Sequence, residues 1–188
     1  MTKKRCGWVS DDPLYIEYHD EEWGVPVYDD GKLLEFLILE TFQAGLSWIT
    51  VLRKRDNFRK AFDHFDVKKV AAFDEAKVLS LMQDAGIIRN GAKIRAAVSN
   101  ARAFIQVQKE FGSFSKYIWD FADGKPIQNS LRTLKDVPAK TELAERISKD
   151  LKKRGFKFVG PTVIYAHMQA TGMVNDHTVD CFRCEEVQ

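Results

Sequence analysis

Apolar residues recur at helical spacing along almost the whole of this chain, and strand-like alternation is nearly absent. That periodicity restricts the fold class to all-α. It predicts helices over 31–44, 47–62, 67–72, 75–84, 91–111, 114–122, 141–154 and 161–172. Gly86, Gly112, Gly124 (before Lys125-Pro126) and Gly155 read as stops, and Asp66, Asp74 and Thr141 as N-caps. Pro161 follows Gly160 and suits the first turn of the last helix. At 188 residues and 45% hydrophobic content, a chain can bury roughly 70% of its unfolded surface in one core. We therefore expect a single unit over 1–188, with an N-terminal segment 1–30, a helical core and a tail 173–188. No apolar run reaches the ~18 residues of a membrane span. The basic opening MTKKR is not followed by the apolar stretch of a signal peptide. The expectation is a cytoplasmic protein with no membrane partner.

A formal charge of +2 does not announce nucleic acid, but its distribution is uneven. Residues 1–30 hold eight acidic against three basic side chains, whereas 53–60 and 149–157 each carry a local excess of +4. Such asymmetry allows an electrostatic footprint on one face; solvated helix faces are the plainer alternative. Within KDLKKRGFKFVGPTVIYAHMQATG, a basic amphipathic helix leads through a hairpin between Gly155 and Gly160 into an apolar helix. Free N–H groups at the second helix's start make an anion site there. Lys152, Lys153, Arg154 and Lys157 stand beside it. A hairpin of this kind grips DNA phosphates without reading bases. A plain αα-hairpin fits the pattern equally well.

The three cysteines are an odd count, which argues against a disulfide framework and leaves metal or inert thiols. Cys6 pairs with His19, and His177 with Cys181; in a helical tail over 176–183 the latter two would share a face at i and i+4. Two Cys and two His compose a closed tetrahedral zinc set with no open position for catalysis. Buried thiols with surface histidines are the alternative, and Cys184 competes with Cys181 for the fourth place. His64 and His167 have no cysteine nearby and read as structural.

Glu40 shares a helix face with Leu33, Phe36 and Leu37. An unpaired charge among apolar neighbours is costly. The carboxylate is therefore either satisfied structurally or directed into a pocket. Trp48 follows a QAGLS break, and Trp8, Tyr15 and Tyr18 lie in the N-terminal segment. Aromatic walls around one carboxylate suit a flat, electron-poor heterocycle; core packing accounts for the same residues otherwise.

Four segments, RCGWVSDDPLYIEYHDEEWGVP, LETFQAGLSWITVLRKR, DAGIIRNGAKIRAAVSNARAF and LKKRGFKFVGPTVIYAHMQATGMVNDH, closely resemble the bacterial 3-methyladenine DNA glycosylase I family. They run nearly end to end in the family's order. The resemblance implies the all-α helix-hairpin-helix glycosylase fold and excision of 3-methyladenine from alkylated double-stranded DNA. It implies one structural zinc per chain on Cys6, His19, His177 and Cys181, joining the N- and C-terminal segments. It places Glu40 at the base, with Trp8, Tyr18 and Trp48 as substrate contacts; we take Glu40 as the catalytic group and add Tyr15 to the contacts from the aromatic pattern above. Thr41-Phe42 depart from the pair usual in that family after Glu40. The superfamily's catalytic aspartate falls at Asn175, so this chain lacks it, as that family does.

The implied chemistry is consistent with that absence. Methylation at N3 makes the base cationic and already a good leaving group, so little acid catalysis is needed. Extruding the nucleotide remains, at a few kcal/mol. Gln43 to Leu46 is the expected wedge into the gap, and Lys152, Lys153, Arg154, Lys157 and Gly160 the expected phosphate grip. With no amine nucleophile identified, a monofunctional enzyme that leaves an abasic site is expected, acting as a monomer. A non-catalytic, zinc-stabilised protein that binds damaged DNA and an enzyme of free nucleosides are the competing readings.

Overall fold

The computed structural model describes residues 3–187. The helices are α1 (Pro13–Glu21), α2 (Asp30–Gln43), α3 (Trp48–Leu52), α4 (Arg55–Ala61), α5 (Val67–Ala71), α6 (Glu75–Leu81), α7 (Gly91–Phe111), α8 (Phe114–Asp120), α9 (Glu142–Lys153), α10 (Pro161–Ala170) and α11 (Arg183–Glu186). Two-residue strands β1 (Ile127–Gln128) and β2 (Val174–Asn175) pair in parallel, with Ile127 opposite Val174. The architecture is all-α, and no described helix is long and apolar enough to cross a membrane.

Helix α2 is buried on every side from Leu33 to Phe42, which marks it as the centre of the molecule. Helix α7 buries Ile94, Ala97, Val98, Ala101 and Phe104 on one stripe and packs against α2, α5, α6 and α8. Phe104 stacks on Phe114 with centroids 4.1 Å apart. Burying one such ring contributes about 1.5–3 kcal/mol. Helix α10 lies on both α9 and α2. A smaller apolar cluster (Tyr18, Phe36, Leu52 and Ala170, flanked by Trp8, Tyr15, Trp23 and Trp48) sits apart from this core.

Several local expectations are corrected. Helix α1 was absent from the periodicity reading, yet Asp12 caps it through Leu14 N–H and Pro13 opens it. The helix expected over 47–62 is broken at Arg53 and Lys54, where adjacent cations are drawn apart. Arg53 reaches Asp12, Lys54 donates to the Ala85 carbonyl, and Arg55 turns inward to Glu22 and Glu35. Gly86 caps no helix, since α6 ends at Leu81. The tail 176–182, expected helical to 183, is not helical; Cys181 N–H closes a turn on the Thr178 carbonyl instead, and α11 starts only at Arg183.

The three arginines of the basic run 53–60 are all engaged by acidic partners. Arg55 is buried between Glu35 (2.7 Å) and Glu22 (2.7 Å), and Arg59 pairs with Glu35 and Asp56. These residues bolt the acidic N-terminal segment to α2. A bidentate guanidinium between two carboxylates suits that work.

Candidate active site and metal cluster

The smaller apolar cluster opens into a cavity of about 440 Å³, within the range typical of small-molecule sites. Trp8, Tyr15, Tyr18, Glu40 and Trp48 all line it, so the structure brings together every base-contact residue named from the sequence. Glu40 is buried in the last turn of α2, and its carboxyl makes no hydrogen bond among the described residues. Burial alone raises its carboxyl from 4.5 to about 8. Burial, reinforced by the charge of Glu40, also pushes up the Tyr15 and Tyr18 phenols. Trp8 packs edge-on to Tyr15 and Trp23, and Tyr18 lies 5.4 Å from Trp48. The indole N–H groups of Trp8 and Trp48 are buried without a partner. Thr41 and Phe42 do not line this cavity. Thr41 donates to the Leu37 carbonyl and Phe42 packs on Phe58, so the sequence departure there belongs to the core.

Sequence reasoning missed several contributors. Trp23 stacks near His19 and lines the cavity. Gln169 and Asp176 line its far side from α10 and the segment after β2. The segment 134–139 closes another wall through Leu134, Val137, Pro138 and Ala139. Trp23 sat inside a quoted motif (DEEWGVP), which was the only signal available for it.

Behind the aromatic wall, Cys6, His19, His177 and Cys181 place their ligand atoms within 4.8 Å of one another, all four residues buried. Cys6 Sγ lies 3.4 Å from His177 Nδ1, and Cys181 Sγ lies 3.4 Å from His19 Nε2 and 3.5 Å from His177 Nδ1. A tetrahedral centre with ~2.3 Å metal–sulfur and ~2.0 Å metal–nitrogen bonds sets S and N ~3.5 Å apart. These four can hold a metal ion. Cys184 lies outside the group; its carbonyl instead accepts from Asn175. The remaining imidazole nitrogens are already fixed: His19 Nδ1 on Asp20 at 2.8 Å and His177 Nε2 on the Trp23 carbonyl at 3.0 Å. Asp20 is in turn held by Arg5. This is the outer-shell support that orients metal-binding histidines. Gly24 completes it, because a Cβ there would stand 2.8 Å from His177 Nε2. His167, by contrast, is structural: it bonds the Leu33 carbonyl, and burial lowers it to about 4.

Residues 154–160 connect α9 to α10, which pack against each other. Gly155 supplies a φ of +93° just past α9, and no side chain caps the α10 N-terminus at Gly160. Asn100 of α7 clamps this connection by bonding both the N–H and the carbonyl of Lys157. Lys152, Lys153 and Lys157 are exposed, with no ion pair among the described residues. Arg154 is engaged elsewhere, bonded to Asp150 and Glu110 at 2.7 Å each and lying over the Phe111 and Tyr117 rings. In the loop after α2, Gln43 Nε2 donates to the Leu46 carbonyl and Leu46 is 41% exposed. Buried Lys93 grips the same loop from beneath through the Phe42 and Ala44 carbonyls. A groove lined by Gln43, Gly45, Pro138 and Thr162 connects that loop to the start of α10.

The sequence pattern of the methyladenine glycosylase family matches residues 8–184. The DNA-3-methyladenine glycosylase 1 of Escherichia coli (strain K12) is 54% identical over 95% of both chains. The DNA-3-methyladenine glycosylase of Haemophilus influenzae is 50% identical over 94% of this chain and 96% of that relative. A crystal structure of 3-methyladenine DNA glycosylase I superposes with a TM-score of 0.93 at 51% identity, covering 95% of this chain and 98% of that one. A tyrosine-to-phenylalanine variant of 3-methyladenine DNA glycosylase I, solved in complex with 3-methyladenine, gives 0.92 at 35% identity, over 95% and 96%. The cavity, the loop and the hairpin thus sit in a scaffold shared from end to end, and the chain belongs to the methyladenine glycosylase family.

Proposed function

We propose that this protein is a DNA-3-methyladenine glycosylase that hydrolyses the N-glycosidic bond of 3-methyladenine in alkylated double-stranded DNA, working as a monomer. The observation that carries the reading is Glu40, a carboxylate without a protein partner facing an aromatic cavity. An orphaned acid in such a place matches a cationic heterocycle better than a neutral one. Normal adenine carries no ring charge and forfeits that attraction. Tyr18 and Trp48 hold the flipped ring by stacking, with Trp8 and Tyr15 behind them. The Gln43–Leu46 loop fills the gap in the duplex. The exposed lysines and the uncapped start of α10 at Gly160 hold the phosphates. In this reading water, and not an amine, attacks the sugar, and the product is an abasic site.

The metal we assign to Cys6, His19, His177 and Cys181 is zinc, one per chain. Two thiolates and two imidazoles at tetrahedral spacing are its preferred donor set. It supplies a cross-link and no reaction step. His19 and Trp23 bridge cluster and cavity, so fixing the first aligns the second.

Chromatography of bases released from methylated duplex DNA tests the reading. Release of 3-methyladenine with an intact sugar-phosphate strand supports it. Tight binding to damaged DNA without base release would leave a damage-binding protein.

A further inference from the structure

Glu40 and Asp176 both line the cavity, and they are held in opposite ways. The Glu40 carboxyl has no partner among the described residues. Asp176, 2% exposed, accepts from Tyr165 OH at 2.6 Å and Gln169 Nε2 at 2.7 Å on Oδ2, and from Asn129 Nδ2 at 2.7 Å on Oδ1. All three partners are neutral donors, and no lysine or arginine pairs with it among the described residues. Donors alone are the partner set of an ionised carboxylate, which accepts about four hydrogen bonds. The arrangement leaves roughly one site, on Oδ1.

The position of Asp176 gives this carboxylate a task. Its partners Tyr165 and Gln169 also line the groove that runs past Pro138 and Ala139 to Thr162 at the start of α10. Asp176 therefore stands where the base cavity meets the path to the phosphate site. With the base in the cavity and its phosphates at the hairpin, the sugar joining them crosses that seam. Neighbouring Asn175 faces away from it, bonded to Gln128 and to the Cys184 carbonyl.

We propose that Asp176 is a catalytic residue that meets the positive charge of the sugar in the transition state, while Glu40 reads the base. The proposal rests on the glycosylase reading. When the C1′–N9 bond breaks, its electron pair leaves with the base and cancels the ring charge. The positive charge passes to C1′ and O4′ of the sugar. A water forms the new C1′–O bond and releases its proton to solvent. A fixed anion placed beforehand stabilises that charge without reorganising.

The test compares wild type, Asp176→Asn and Glu40→Gln. Binding is measured to a duplex with a cationic pyrrolidine in place of the lesion sugar, to one with a neutral tetrahydrofuran there, and to free 3-methyladenine. Single-turnover release from methylated duplex is measured alongside. Asp176→Asn should slow release roughly 100-fold and weaken pyrrolidine binding about tenfold or more, with the other two affinities held within about twofold. Metal content should not change. Wild type should prefer pyrrolidine over tetrahydrofuran by about tenfold or more, and Glu40→Gln should keep that preference. Those two measurements need no Asp176 variant to fold. Equal wild-type binding of the two duplexes, loss of the preference in Glu40→Gln, or a parallel fall of every reading in Asp176→Asn overturns the proposal. So does unchanged release by Asp176→Asn, which leaves the glycosylase reading standing. Wild type that releases no 3-methyladenine overturns that reading itself.

Discussion

The Trp23 carbonyl accepts a hydrogen bond from His177 Nε2 at 3.0 Å, so a residue whose indole lines the base cavity also sets the tautomer of a cluster imidazole. A carbonyl only accepts, so His177 carries its proton on Nε2. The Nδ1 lone pair then faces the Cys6 and Cys181 thiols, as a metal requires.

Purified protein should contain about one zinc per chain by elemental analysis. Asp20→Asn removes the carboxylate behind His19 and should weaken zinc binding roughly 10–100-fold in a chelator competition. Chelation should dim and red-shift tryptophan emission, because Trp8 and Trp23 pack on His19 and His177. Native protein without metal would remove the basis of this expectation.

Glu40 makes both stability and binding depend on pH. The unfolded chain loses this proton near 4.5, and the native state keeps it until about 8. Its contribution to stability is complete below pH 4.5 and is lost as pH rises through 8. Urea midpoints of Glu40→Gln should lack that decline and exceed wild type at pH 8 and above. Binding a cationic base favours the ionised form, so it expels the proton. Affinity for the lesion should rise with pH up to about 8 and level off beyond it. In Glu40→Gln this rise should vanish and excision should slow.

The lysines of the hairpin and its arginine should separate cleanly. Lys153→Ala and Lys157→Ala should each lower the salt slope of DNA binding by about 0.9. Arg154→Ala should leave the slope unchanged and destabilise the fold by about 1 kcal/mol, since its partners are Asp150 and Glu110. A Cβ at Gly160 would meet nothing within 4 Å. Gly160→Ala should therefore fold normally and lose affinity only where a phosphate must approach the backbone.

Lys93→Met should cost about 2 kcal/mol, because two carbonyls lose a charged donor in a buried place. It should also slow base release at unchanged phosphate affinity, because the Gln43–Leu46 loop loses its support. A stability loss with wild-type release would confine Lys93 to capping α2.

Periodicity legibly marked α7, α9 and α10, which turn an apolar face inward, and α2, whose apolar run is buried all round. It missed α1, whose nine residues PLYIEYHDE mix apolar and charged groups without a clear stripe. The break at Arg53 and Lys54 was equally hidden, being set by partners at Asp12 and Ala85. Glu40 could be found by its wrong-face position on a helix. Asp176 could not, since its three donors come from Asn129, Tyr165 and Gln169 and no local pattern joins them. Cys6 and His177 stand 171 residues apart, beyond the reach of any spacing argument. Resemblance to a family singled out that set, and the fold brings its four ligand atoms within 4.8 Å of one another.

The same long separation orders events during synthesis. Trp8, Tyr15, Tyr18 and Trp23 leave the ribosome early, yet His177, on which Trp23 packs, and Cys181, beside His19, are made last. Contacts so distant along the chain close late, after the loop entropy between them has been overcome. A nascent chain stalled before residue 177 would expose an aromatic-rich arm, ready to stick to other chains or to be cut by proteases. Activity should therefore switch on abruptly once residues near 180 emerge and Cys6, His19, His177 and Cys181 can come together.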